Sequence, residues 1–191
     1  MLANRLVVIM GAIGIEKTKL SIDVAKVIGD EVLNVDKMQA YAGFDIATNK
    51  VSFLSRCGIP HHLLVVIPFT VDDFPISLFL SLATMAVNCI VRRGRMPIVV
   101  GGSNSLIHGL LVDYFDSSLV KPFVIADYCM SLSFQSCIIW IHPNEVILNE
   151  YLNCHVIEIG LVEEVKEYFD AHNNYVGGHW SSKGNRRIRA R

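Results

Sequence analysis

Leu6-Val7-Val8-Ile9-Met10 is an unbroken apolar run that stops at Gly11, and the loop behind it leads straight into a helical pattern. A run without polar alternation predicts a strand buried on both faces, the kind that parallel sheets contain. Leu20, Val24, Val27 and Ile28 then fall at i, i+4, i+7 and i+8. That spacing predicts one apolar face on a helix over Lys17–Ile28, with Gly29 as its stop. A buried strand, a glycine turn and a helix in direct succession point to a parallel α/β layer.

The rest of the chain repeats this alternation. Strands are expected at Glu31–Val35, Pro97–Val100 and Cys137–Ile141, and helices at Phe74–Val91, Leu106–Leu111 and Asn144–Tyr151. At 191 residues the chain has room for one ordinary domain with a sizeable core. Residues 171–191 are polar and terminally basic, and read as a poorly ordered tail. In parallel α/β sheets, ligands gather beyond the carboxyl ends of the strands. Residues 11–18, 36–39 and 101–105 all follow predicted strands, so they are expected to converge on one side.

Apolar residues make up 52% of the chain and the mean hydropathy is +0.41, which raises the question of a membrane span. The best candidate, FPISLFLSLATMAVNCIV over residues 74–91, carries no charge. Its Ser77, Ser81, Thr84 and Asn88 nevertheless share one helical stripe, which favours a buried amphipathic helix over a span. The N-terminus offers no signal-peptide core or Arg/Ser-rich presequence, which predicts the cytoplasm. A net charge of −1 gives no broad electrostatic grip on nucleic acid and argues against a tRNA partner. The five cysteines form no C-x-x-C pair and suggest free thiols in a reducing compartment.

GAIGIEKT, residues 11–18, departs from the phosphate-cradling pattern G-x-x-x-x-G-K-[ST] only at Glu16. Such a loop aims backbone N–H groups and a helix N-terminus at phosphate oxygens. The candidate cradle is therefore Gly11, Ala12, Ile13, Gly14, Ile15, Glu16, Lys17 and Thr18, with Lys17 as the cation and the Thr18 hydroxyl toward Mg²⁺. If position 16 needs a positive φ, its Cβ costs about 1–2 kcal/mol. Its carboxylate would add roughly 3 kcal/mol of repulsion toward a phosphate about 6 Å away. Water and salt remove most of that repulsion if the side chain turns outward. Diphosphate binding is expected to weaken by one to several orders of magnitude, at roughly 1.4 kcal/mol per decade, with the loop shape kept.

Other residues leave alternatives open. Asp36 could cap a turn, act as a general base toward a substrate N–H or O–H, or assist a magnesium ion. Ser103 and Asn104 in GGSNS read as a helix cap, although the glycines before them also permit close ligand approach. His61 and His62 are adjacent, would face opposite sides of a strand, and have no evident third ligand. Trp140 and His142 are expected at the edge of the core.

Taken with NVDKMQAYAGFDIATNKV, CGIPHHLL, DDF, RRGRMPIVVGGSNSLIHGLLVDYFD, CIIWI, EYL and GLVEEVKEYFD, the loop resembles the isopentenyltransferases that prenylate adenine N6. The similarity is strongest to plant adenylate isopentenyltransferases of cytokinin synthesis, which are related to tRNA dimethylallyltransferases. It implies a P-loop NTPase-like three-layer α/β sandwich with a parallel sheet, truncated at its C-terminal end. It also implies transfer of a dimethylallyl group from dimethylallyl diphosphate to N6 of AMP, ADP or ATP with Mg²⁺, by a monomer. By resemblance, Asp36 accepts the N6 proton, and Lys17 and Thr18 hold the diphosphate and its metal. Gln39, Thr48, Asn49, Lys50, Ser103 and Asn104 position the substrates. A plastid or mitochondrion is the compartment the resemblance suggests. The chain departs from the family pattern at Glu16 for glycine, Val35 for serine, and Pro75, His155 and Ile157 for arginine, arginine and aspartate. The alternatives are a non-catalytic nucleotide-binding remnant, a tRNA dimethylallyltransferase, or a small-molecule kinase that would leave GGSNS unexplained.

Overall fold

The computed structural model describes residues 5–12, 14–68, 74–112, 133–144, 146, 148 and 160–168. Its strands are β1 (Arg5–Gly11), β2 (Glu31–Asn34), β3 (His61–His62), β4 (Pro97–Gly101) and β5 (Gln135–Ile141). Its helices are α1 (Lys17–Ile28), α2 (Lys37–Ala40), α3 (Ile76–Arg92), α4 (Asn104–Leu111) and α5 (Leu161–Tyr168). The strands form one sheet in the order β3-β2-β4-β1-β5, and every pairing is parallel.

Alternate strand residues feed two cores because successive side chains point to opposite faces. Leu6, Val8, Leu33, Val35 and Val99 pack with Phe79, Ala83 and Val87 of α3 and Leu106, Ile107 and Leu110 of α4. Val7, Ile9, Val32, Ile98 and Val100 pack with Ala25 of α1, flanked by Leu20 and Val24. Helices on both faces of a parallel sheet make the three-layer sandwich that the resemblance implies.

The bounds of α1 match the periodicity, and Gly29 ends it in the left-handed conformation at φ 74. The buried face differs from the one predicted. Val27 is 85% exposed and Ile28 42%, while Ser21, Ile22 and Ala25 are buried. Small Ser21 and Ala25 let the helix lie close to the sheet, and the Ser21 hydroxyl donates to the Thr18 carbonyl at 2.7 Å, so its burial leaves no unpaired donor.

In α3, Phe79, Ala83, Val87 and Ile90 are buried, and Ser77, Ser81, Thr84 and Asn88 are all exposed, as the polar stripe predicts. Among the described residues no helix is long and apolar enough to cross a membrane. Trp140 is 71% exposed and His142 is exposed as well, which corrects their expected place at the core edge. They follow from the position of β5, whose described pairing is to β1 alone. Cys57, Cys89 and Cys137 are free and exposed. Most of the helix predicted over 144–151, the 171–191 tail, His155 and Ile157 lie outside the described residues.

The strand ends need small residues. A Cβ on Gly101 would sit 2.1 Å from the Val35 carbonyl oxygen. That oxygen is backbone and cannot move without breaking the β2–β4 ladder, which Val35 N–H extends by donating to Val100 at 2.7 Å. Gly101→Ala is therefore expected to destabilise the fold by about 3 kcal/mol, measured as a fall in the urea midpoint.

At the opposite end of the sheet, Glu31 is 5% exposed and bound by three side chains. His62 Nε2 lies 2.6 Å from its carboxylate, Arg93 donates at 3.0 and 2.6 Å, and Arg95 Nε stands at 3.7 Å. Burial alone would raise the Glu31 carboxyl, but the bonds from Arg93 and His62 outweigh it and hold it below its usual 4.5. A depressed folded-state value adds stability that is present above the unfolded value and lost as pH falls through the folded one. Glu31→Gln is expected to lower the urea midpoint at pH 7, with the gap to wild type narrowing as the pH drops below 4.5.

Candidate active site

The carboxyl ends of β1, β2 and β4 open into a cavity of about 250 Å³. Its walls come from four stretches: residues 14–19, 34–39, 49–51 and 100–102. The expected convergence of the first loop, Asp36 and the glycine pair thus occurs, with the Asn49–Val51 turn as a fourth side.

The first loop places Glu16 directly before α1 with φ 51, ψ 29, a left-handed conformation that a Cβ disfavours. Its side chain is 57% exposed and pairs with Lys19 at 3.3 Å, and both residues line the cavity. Lys17 folds back to donate to the Ala12 carbonyl. Burial pushes the Lys17 ammonium below its usual value, and the Asp36 carboxylate partly restores it. Gly14, Ile15 and Thr18 line the cavity as predicted, and Ile13 lies outside the described residues.

Asp36 fills the first of its predicted roles, the cap of a turn. Its Oδ1 accepts from the Met38 N–H at 2.9 Å and caps α2. Its Oδ2 faces the space over Gly102. A Cβ built on Gly102 would lie 3.9 Å from Asp36 Oδ2 and 4.0 Å from Lys17 Nζ. Any side chain at 102 would fill the gap between carboxylate and ammonium, and glycine leaves that gap to a ligand.

The fourth wall is held by its own hydrogen bonds. Gln39 Nε2 donates to the Thr48 and Asn49 carbonyls at 2.9 and 3.1 Å. Lys50 is 3% exposed, pairs with Asp45 at 3.1 Å and donates to the Gly43 carbonyl. Burial lowers its ammonium from the usual value, opposed by Asp45.

Three predicted substrate residues fall outside the cavity. The Thr48 hydroxyl is buried and donates to the Phe44 carbonyl at 2.6 Å, so it holds the turn. Ser103 and Asn104 follow Gly102 but do not line the cavity. Ser103 takes the N-cap position of α4 without a side-chain cap bond, contrary to the capping expectation. Its Oγ lies 3.5 Å from that of Ser105. Asn34 and Lys19 line the cavity without having been singled out. Asn34 ends β2 just before Asp36, and that proximity was its one sequence signal.

His61 and His62 bond to different partners, the Ile59 carbonyl and Glu31. Among the described residues no group of three or more His, Cys, Asp or Glu could hold a metal ion. Mg²⁺ suits a different donor set, since it is usually bound by one or two protein oxygens together with substrate phosphates and water. Thr18 and Asp36 bring a hydroxyl and a carboxylate to the cavity, a hard-oxygen set that fits this pattern.

Comparison with known proteins bears on this geometry. A model of the IPP transferase family matches residues 39–127. Adenylate isopentenyltransferase 8, chloroplastic, of Arabidopsis thaliana is 41% identical over 87% of this chain and 52% of that protein. Adenylate isopentenyltransferase of Humulus lupulus is 42% identical over 84% of this chain and 51% of that protein. The chain is thus similar to the IPP transferases over residues 39–127, and to adenylate isopentenyltransferases over most of its length.

It spans about half the length of the curated IPP transferase relatives it matches. Among solved structures, a eukaryotic dimethylallyltransferase acting on tRNA superposes with a TM-score of 0.78 over 94% of this chain and 61% of that one, at 22% identity. A tRNA isopentenylpyrophosphate transferase from Staphylococcus epidermidis is 38% identical, with a TM-score of 0.56 over 60% of this chain and 38% of that one. The fold is P-loop NTPase-like.

Proposed function

We propose that the chain transfers a dimethylallyl group from dimethylallyl diphosphate to N6 of the adenine of AMP, ADP or ATP. The observation that carries this reading is the shared approach of Asp36 Oδ2 and Lys17 Nζ to the space over Gly102. In the transfer, the bond between the allylic carbon and the diphosphate oxygen breaks while the N6 lone pair bonds to that carbon. The N6 proton passes to Asp36 Oδ2, and the leaving diphosphate keeps the bonding electron pair. The Lys17 ammonium and the backbone N–H groups of the loop face the charge that develops on the leaving group. A magnesium ion held by Thr18, with Asp36 beside it, would further neutralise the diphosphate. The Met38 N–H keeps Asp36 aimed by engaging its other oxygen.

The relatives named adenylate isopentenyltransferase support a free nucleotide as acceptor. The solved tRNA isopentenylpyrophosphate transferases support the second reading, an adenine within tRNA. Relatives named chloroplastic or mitochondrial support an organelle as the setting. Incubating the chain with dimethylallyl diphosphate, Mg²⁺ and either AMP, ADP or tRNA separates these readings. N6-dimethylallyl AMP or ADP in the product, with tRNA unmodified, is the expected result. Prenylated tRNA alone would favour the second reading. Absence of any product, from Glu16→Gly as well as wild type, would leave only a non-catalytic remnant.

A further inference from the structure

Glu164 stands on α5, far in sequence from every wall of the cavity. Its two carboxylate oxygens accept from consecutive backbone N–H groups, Ile46 and Ala47, each at 2.8 Å. These amides open a single helical turn. Within it, Thr48 N–H donates to Phe44 at 3.0 Å, Asn49 to Ile46 at 3.0 Å and Lys50 to Asp45 at 2.8 Å. The first N–H groups of a helical turn have no acceptor inside it. Here the acceptor comes from another part of the fold. The opposite end of the turn delivers Asn49 and Lys50 to the cavity, Asn49 in a left-handed conformation at φ 54.

The start of α5 lies against the same turn. A Cβ on Gly160 would be 3.8 Å from Ile46 Cδ1, and the Gly160 carbonyl accepts the Glu164 N–H at 3.1 Å. The Glu164 carboxylate also favours the charged form of Lys50. Bonds to a carboxylate are roughly twice as strong as neutral ones, and two on adjacent amides fix a direction as well as a position.

We infer that Glu164 is a positioning residue for the substrate wall: it anchors the Ile46–Ala47 end of the turn and thereby fixes Asn49 and Lys50 at the cavity. For its ligand the inference rests on the function proposed above, whereas the position of Lys50 can be read without any ligand. α5 thus acts on the site through one side chain.

The test compares wild type, Glu164→Gln and Glu164→Ala in two measurements, with thermal midpoints recorded for each. The first is the acylation rate of the Lys50 amine under competitive labelling. The second is calorimetric titration of AMP, ADP and ATP in the presence of Mg²⁺. Glutamine keeps the length and one acceptor oxygen but turns a donor toward the second amide, so it preserves the packing while weakening the clamp. With two charge-assisted bonds lost, Glu164→Ala is expected to label Lys50 about tenfold faster and bind AMP about tenfold more weakly, with Glu164→Gln between it and wild type. Unchanged Lys50 labelling in both variants overturns the inference. Equal AMP affinity in wild type and Glu164→Ala overturns it too. If wild type binds none of AMP, ADP and ATP while Lys50 labelling still rises in the variants, the proposed function fails and the positioning role is upheld.

Discussion

Asp36→Asn is expected to lower turnover by roughly 10²–10⁴-fold, the range for loss of a general base. The asparagine side-chain oxygen can still accept from the Met38 N–H, so the α2 cap survives and the thermal midpoint should stay near that of wild type. Asp36→Ala loses both roles and adds about 1 kcal/mol of destabilisation from the missing cap. The two variants therefore separate chemistry from folding. Steady-state rates and urea midpoints measured side by side make the comparison. If Asp36→Asn retained more than about a tenth of wild-type turnover, proton acceptance by Asp36 would be excluded.

Glu16→Gly has the opposite sign. Glycine removes the Cβ from a residue held at φ 51, which should raise stability by about 1 kcal/mol after allowing for the flexibility glycine adds to the unfolded chain. The electrostatic part is smaller than full repulsion by a fixed carboxylate would give. Glu16 is paired with Lys19 and more than half exposed, so that partner, water and salt offset much of its charge. The variant is expected to bind dimethylallyl diphosphate about tenfold more tightly, some 1.4 kcal/mol. That is the lower end of the range the bare sequence suggests. The gain should shrink as salt is raised.

Much of this site can be read along the chain because its parts are local. A buried strand that runs through a short turn into a helix is a continuous segment, and three such segments in parallel order bring Lys17, Asp36 and Gly102 to one end of the sheet. What local pattern does not contain is the rotation of a helix about its axis. Counting apolar residues favoured Val27 and Ile28, whereas close approach to the sheet selected Ser21 and Ala25. The exposure of Trp140 escapes local pattern for a related reason, since the apolar run of β5 does not reveal that, among the described strands, it pairs with β1 alone. Ser103 and Asn104 adjoin the site in sequence, yet the chain turns away from the cavity into α4 after Gly102. Glu164 was invisible because its partners lie 118 and 117 positions away.

Calorimetric titration of dimethylallyl diphosphate with Mg²⁺ into wild type, Glu16→Gly and Lys17→Ala tests most directly whether the altered loop still holds a diphosphate. The account predicts one site in wild type, about tenfold tighter binding in Glu16→Gly, and binding lost or weakened at least tenfold in Lys17→Ala. No binding by Glu16→Gly, or binding that survives unchanged in Lys17→Ala, would contradict it.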